Sequence, residues 1–182
     1  MSRGGFKREG AWVQAVGTVL AAIGSTPTKK LPPQTLKDFN VIGNTLQATG
    51  NGLATIGKDP LKLGTVGNEV QAIGNTLVIA GLITNVDQRT KDILNTQGNL
   101  FQATGAGVGF ADAWEQDPSI SNVYLLIGNL LQVVGNGLQA IFGNEERTQV
   151  LDALGSWIQA VGAVLTALGE ERDYLNTVRR RY

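Results

Sequence analysis

The stretch from Leu36 to Gly57 constrains the fold of this chain more than any other. Within it, Ile42-Gly43-Asn44-Thr45-Leu46-Gln47-Ala48-Thr49-Gly50-Asn51 states a seven-residue rule: Gly, Asn, any residue, Leu, Gln, Ala, Thr or an apolar residue, then Gly again. The rule returns in five other places. A fixed repeat restricts topology before any local preference is considered. With Gly43, Gly50 and Gly57 as anchors, the copies align as Arg3, Gly10, Gly17, Gly24; Pro60, Gly67, Gly74, Gly81; Lys91, Gly98, Gly105, Asp112; Ser121, Gly128, Gly135, Phe142; and Thr148, Gly155, Gly162, Gly169.

An apolar residue stands three places after the first three anchors of every copy; Val13, Leu46, Val70, Phe101, Leu131 and Ile158 are the central ones. A seven-residue apolar period suits a helix of 3.6 residues per turn. In a strand an odd period would throw alternate copies onto opposite faces. Gly-Asn pairs also suit hairpin turns, but the Leu, Gln and Ala between them favour helix. The expected fold is all-α: a six-unit antiparallel helical bundle or repeat array with Gly-containing heptads. The units span about 3–24, 36–57, 60–81, 91–112, 121–142 and 148–169. They make one repeat domain, 10–169, between a basic segment, 1–9, and a charged tail, 170–182.

On a helical wheel these apolar residues join Val16, Ile42, Ile73, Val134 and Val161 in one stripe. Glycine lies beside the stripe, and Asn and Gln lie beyond glycine. Each Gly inside a helix costs about 1 kcal/mol relative to Ala. Close backbone approach would offset that cost, which makes Gly17, Gly50, Gly74, Gly105, Gly135 and Gly162 candidate helix-packing positions. Gln14, Gln47, Gln71, Gln102, Gln132 and Gln159 share one position near the middle of each unit. In an antiparallel bundle they fall at one height. They either form a polar layer, bonded to one another or to water, or face solvent; spacing does not choose.

Composition excludes several chemistries. Lys plus Arg is 15 and Asp plus Glu is 15, so no overall field steers the chain to nucleic acid. The charges gather at unit ends and tails and leave the helix bodies nearly bare. There is no Cys and no His. That removes thiolate chemistry, the usual general base and the commonest metal ligand. Glu69 and Asp112 are the only acids well inside the repeat bodies, and nothing brings them together. The Gly-x-Gly groups lack the strand that a dinucleotide-binding turn needs. Trp12, Trp114 and Trp157 suit core or end packing. No catalytic set, cofactor or metal is implied.

Ser2 to Ile23 imitates a leader peptide, but Trp12-Val13-Gln14-Ala15-Val16-Gly17 is nearly restated by Trp157-Ile158-Gln159-Ala160-Val161-Gly162. Ala11 to Ile23 is therefore a repeat unit, and no cleavable signal is expected. The two end units are either caps of an array or neighbours across a closed bundle. Helix starts are expected at Thr35, Asp59-Pro60, Asn85, Asp117-Pro118 and Asn144. Arg179, Arg180 and Arg181 end the tail in a basic group that is either a frayed, solvated end or a contact for an anionic surface.

Ser119 to Asn144 and Phe39 to Gly57 carry no charge and are long enough to span a bilayer. Rows of small residues are also how membrane helices pack. Against this, Asn, Gln and Thr exposed to lipid would be costly.

The repeat type Ile-Gly-Asn-Thr-Leu-Gln-Ala-Thr-Gly-Asn, over nearly the whole chain, resembles uncharacterised "repetitive proteins" of endospore-forming bacilli. The resemblance implies a bacterial, cytoplasmic or spore- or envelope-associated protein and no site residues. The functional expectation is a non-enzymatic structural protein that self-associates into a homo-oligomer or filament through Gly/Asn/Gln helix faces. The alternatives are a membrane-associated or pore-forming helical protein and a carrier of an apolar ligand.

Overall fold

Short links between periodic units make consecutive helices antiparallel neighbours. The computed structural model describes residues 3–144 and 146–180. Six helices follow in order: α1 (Arg3–Ser25), α2 (Pro33–Thr55), α3 (Leu63–Ile83), α4 (Gln88–Trp114), α5 (Ile120–Phe142) and α6 (Gln149–Arg179). The fold is all-α, and no strand occurs among the described residues. Each helix packs on the next, and α1 also packs on α6, so the six close into a ring. The two end units that share a sequence are neighbours across that closure. One end of the ring carries the links within the hairpins α1–α2, α3–α4 and α5–α6 and is called the hairpin end. The other, where α1 begins and α6 finishes, is the terminal end.

The helix starts differ from expectation in register. Pro33 opens α2, ahead of Thr35, because proline suits the first helical turn. Asp59 caps only a turn, through Leu61 N–H, and α3 starts at Leu63. Asp87, not Asn85, caps α4 by accepting from Thr90 N–H and the Thr90 hydroxyl, which holds its carboxyl below the usual range. Ser119, rather than Asp117, caps α5 through Asn122 N–H. A 3₁₀ turn, Glu146–Thr148, precedes α6, so Asn144 lies outside that helix. Gly57, placed among the anchors, sits past the end of α2 with φ 69°, a conformation glycine adopts without strain.

The described residues of the terminal segments are helical and pack on one another. The tail to Arg179 continues α6, and Glu170 is buried there against Lys7 of α1, Nζ to Oε1 2.7 Å. Arg8 lies over the Tyr174 ring, 4.5 Å from its centroid.

Polarity runs opposite to that of a water-soluble bundle. Apart from Val78 and Leu125, every buried apolar residue among those described is alanine. The largest fully buried side chains are Gln47, Gln132, Asn51, Asn75, Asn136, Thr18 and Ser156. Val16, Ile42, Ile73, Val134 and Val161, from the expected apolar stripe, are 45–54% exposed. Each helix thus has two faces that could have formed the core, and the one turned inward is the Gly/Asn/Gln face. Leu46 and Leu138, also of the stripe, cover the rims of glycine contacts with their Cβ atoms.

Candidate functional site

Glycine sets the distance between helices within each hairpin. A Cβ on Gly17 would lie 2.6 Å from the Gly43 carbonyl oxygen, and one on Gly43 2.6 Å from that of Gly17. Gly74 faces Gly98 in the same reciprocal way, at 2.5 and 2.7 Å, and Gly135 faces Gly155 at 2.6 and 2.8 Å. Gly50 faces Gly10, Gly105 faces Gly67, and Gly162 faces Gly128. Each candidate packing glycine therefore meets a glycine of the partner helix backbone to backbone. No side chain fits between, and the helix-propensity cost is exchanged for contact.

With glycine turned to the hairpin partner, the residue four places further on points to the ring axis. In the middle tier this residue is glutamine in all six helices. The glutamines divide into two triads by helix direction. Gln14 Nε2 donates to Gln71 Oε1 (2.9 Å) and Gln132 Oε1 (3.0 Å). Gln159 Nε2 donates to Gln47 Oε1 (2.9 Å) and Gln102 Oε1 (3.1 Å). Gln132 goes on to the Thr166 hydroxyl, and Gln139 donates to Gln159 Oε1. The six are all buried, so the layer is internal.

One heptad towards the hairpin end, the axial residues are Ala21, Asn40, Val78, Asn95, Gln139 and Asp152. They line a chamber of about 150 Å³ whose floor is Gln47, Gln102 and Gln159. A wider mouth of about 350 Å³, lined by Lys37, Lys91, Asp92 and Asn144, shares Val78, Leu82, Asn95 and Gly143 with the chamber. One heptad the other way, Lys7, Gly64, Gly109, Leu125 and Thr166 line a smaller cavity of about 50 Å³, closed by Gln71. The two glutamine triads separate these cavities.

Each cavity holds ionisable groups. In the chamber, burial pushes the Asp152 carboxyl up to about 6. At the terminal end, burial alone would lower the Lys7 ammonium, but Glu170, with Asp112 and Asp173 near it, raises it on balance. Asp112 lines this cavity; Glu69 is exposed on α3. No group of three or more His, Cys, Asp or Glu among the described residues could hold a metal ion.

Sequence reasoning named the glycines and glutamines and missed Asn40, Asn95, Asp152 and Lys7. Reading the Gln position one heptad up and down each copy would have found all four. The tryptophans lie outside the core, and the indoles of Trp157 and Trp12 reach from near the middle tier towards opposite ends. Trp157 Nε1 donates to the Thr26 hydroxyl at the hairpin end, and Trp12 Nε1 donates to Glu171 at the terminal end. Trp114 is 71% exposed and stacks on Phe110. Arg179 and Arg180 are exposed, and Arg181 lies outside the described residues.

Residues 6–167 match the model of a family of unknown function, DUF6944. No curated protein and no solved structure matches the chain.

Proposed function

We propose that this chain, which belongs to the DUF6944 family, is a non-enzymatic membrane-embedded helical bundle: a ring seated in lipid by its apolar exterior and held together by a glycine and amide interior. The observation that carries the reading is the inverted polarity. Exposed large apolar side chains occur on all six helices, among them Trp12, Ile42, Ile73, Leu100, Leu130 and Val161. A single partner covers one side of a molecule; an apolar surface on every side suits a surrounding apolar phase.

Four further features support it. Charges lie near the two ends, leaving stretches such as 39–57, 93–111 and 153–169 bare. Such stretches, about 17–19 residues long, are near the length needed to cross a hydrocarbon core of about 30 Å. The outward hydroxyls of Thr45, Thr49, Thr76 and Thr104 all donate to carbonyls four residues back, so they need no water. The indole N–H groups of Trp12 and Trp157 point towards opposite ends, as amphipathic rings do near membrane interfaces. By length and composition α5 and α6 pass as membrane spans. Glu69 is the exception, an exposed carboxylate only two residues before Gln71.

The Gly, Asn and Gln rows suggested for pairing with further copies are taken up inside one chain. Self-association would have to use the apolar face instead. One experiment separates the two readings, helped by the absence of native cysteine. Single-cysteine variants at Ile42, Val134 and Lys30 are reconstituted in vesicles and treated with a membrane-impermeant maleimide. The chain is expected to float with lipid, with Lys30→Cys labelled, the other two protected, and the native tryptophan fluorescence quenched by brominated lipid. A discrete soluble oligomer in detergent-free buffer overturns the proposal in favour of self-assembly.

A further inference from the structure

The hairpin-end chamber combines a carboxylate with a wall of neutral amides. Asp152 enters from the first turn of α6, and its Oδ1 would lie 3.0 Å from a Cβ placed on Gly143. No other ionisable side chain lines the chamber, and Lys37, Lys91 and Asp92 line the mouth. Some of the amide nitrogens around it are engaged elsewhere, whereas Asn40, Gln47 and Gln102 enter these bonds only through their oxygens. Asn44 Nδ2 donates to the Asn40 carbonyl, Asn99 Nδ2 to Asn95 Oδ1, and Asn95 Nδ2 to Asn144 Oδ1. The Asn44 and Asn99 side-chain oxygens make none of these bonds. A partly buried carboxylate without a cation beside it, in a chamber that the Asn44 and Asn99 side chains also line, is a site short of positive charge.

We propose that this chamber binds a monovalent cation, held by the Asp152 carboxylate and solvated by the side-chain oxygens of Asn44 and Asn99 together with water. A single carboxylate balances a single charge. Calcium and magnesium prefer more ligating carboxylates or ideal octahedral oxygen geometry. An anion would meet Asp152 with no lining cation to offset it. The volume, about 150 Å³, suits a small ion with a few waters, each of which takes about 30 Å³ in the liquid. The ammonium groups of Lys37 and Lys91 and the Asp92 carboxylate at the mouth act on entry rather than on the site itself. The inference does not depend on lipid, because the chamber lies inside the ring.

The test is thermal unfolding of the purified full chain, in detergent where needed, at equal chloride and ionic strength. Potassium or sodium is compared with N-methylglucamine, which is too large for the chamber. At pH 8, where Asp152 is ionised, about 100 mM of either small cation is expected to raise Tm by several degrees; at pH 5 the shift should vanish. Asp152→Asn should abolish the shift, and Asn99→Leu, which fills the chamber but keeps the carboxylate, should weaken the response at least tenfold. Equal shifts in N-methylglucamine, a shift that survives in Asp152→Asn or at pH 5, or no shift at pH 8 each overturn the proposal. Failure here leaves the membrane reading standing, since flotation and cysteine labelling are separate observations.

Discussion

The ring has two kinds of seam, and they solve the same packing problem differently. Within hairpins, glycine meets glycine and the backbones themselves touch, as at Gly17–Gly43 and Gly128–Gly162. Between hairpins the helices meet through larger residues. The α6–α1 seam is built from Ala11, Ala15, Ala163 and Ala167. The positions that correspond to Ala11 and Ala163 by the heptad are asparagine in α2 and α3: Asn44, Asn51, Asn68 and Asn75. In α4 and α5 three of the four are Asn99, Asn129 and Asn136, and the fourth is Ala106. One class of seam therefore holds a single residue type, while the other holds asparagine or a small residue, alanine, Thr18 or Ser156. A glycine seam is specified by sterics, which have no slack. The wider seam is specified by polarity and volume, which do.

The largest effect follows from that contrast. Gly50→Leu and Gly135→Leu should each abolish the folded ring, because the new side chain must enter the partner backbone. Even Gly135→Ala should cost about 3 kcal/mol, near the upper range for overpacking. Thr45→Leu, on the outward face, should change stability by less than about 0.5 kcal/mol. Denaturant unfolding followed by helical circular dichroism measures all of these. Equal effects for the glycine and threonine variants would remove the distinction between seams and exterior.

The axis should respond next. Gln14 supplies both bonds of its triad, so Gln14→Ala leaves the Gln71 and Gln132 oxygens without that donor. A loss of about 2–3 kcal/mol is expected from two buried acceptors. Asn136 and Asn51, in the wider seams, have side-chain atoms with no hydrogen-bond partner. Converting either to Ala, as the α6–α1 seam already has, should be neutral or stabilising by about 1 kcal/mol. A large loss at Asn136→Ala would show that the wider seams are as strictly specified as the glycine ones.

Asp152 gives a pH-dependent effect of smaller size. Its folded pKa, about 6, lies above the ordinary carboxylate value of 3.8. Its stabilising contribution is complete below about pH 4 and lost as pH rises through about 6. Asp152→Asn should match the natural chain at pH 4 and exceed it at pH 8. A gain of about 1–2 kcal/mol is expected, discounted for partial exposure, measured in N-methylglucamine so that no small cation compensates. A variant that gains equally at both pH values would mean that Asp152 is strained rather than desolvated.

Much of this was legible in the sequence because one period wrote it six times. The heptad gave the helices, their number, the glycine contacts and the common height of Gln14, Gln47, Gln71, Gln102, Gln132 and Gln159. It could not choose between the two faces. An amphipathic pattern shows that one face is turned inward, and water as the assumed solvent then selects the apolar one. Here the inward face is the one whose geometry is exacting, since glycine rows fit only against backbone whereas Ile42 or Val134 can face any apolar surrounding. Asp152 and Lys7 were hidden for a different reason. They occupy axial positions in the outer heptads, where the residue type changes from helix to helix and no repeat advertises the site.

The smallest predicted effect is also the sharpest use of the contrast. Gly50 and Gly52 stand two residues apart in one motif, as do Gly135 and Gly137. Gly50 and Gly135 face the partner backbone, but a Cβ on Gly52 or Gly137 would meet nothing within 4 Å. At those two positions glycine brings only its helix-propensity penalty. Gly52→Ala and Gly137→Ala should each stabilise the chain by up to about 1 kcal/mol, whereas Gly50→Ala should destabilise it. The same chemical change, one methyl group two residues along the same helix, thus takes opposite signs for a reason that lies wholly in which neighbour it meets. If thermal unfolding finds Gly50→Ala stabilising as well, α1 and α2 do not approach at backbone distance, and the glycine seam at Gly10 and Gly50 has to be given up.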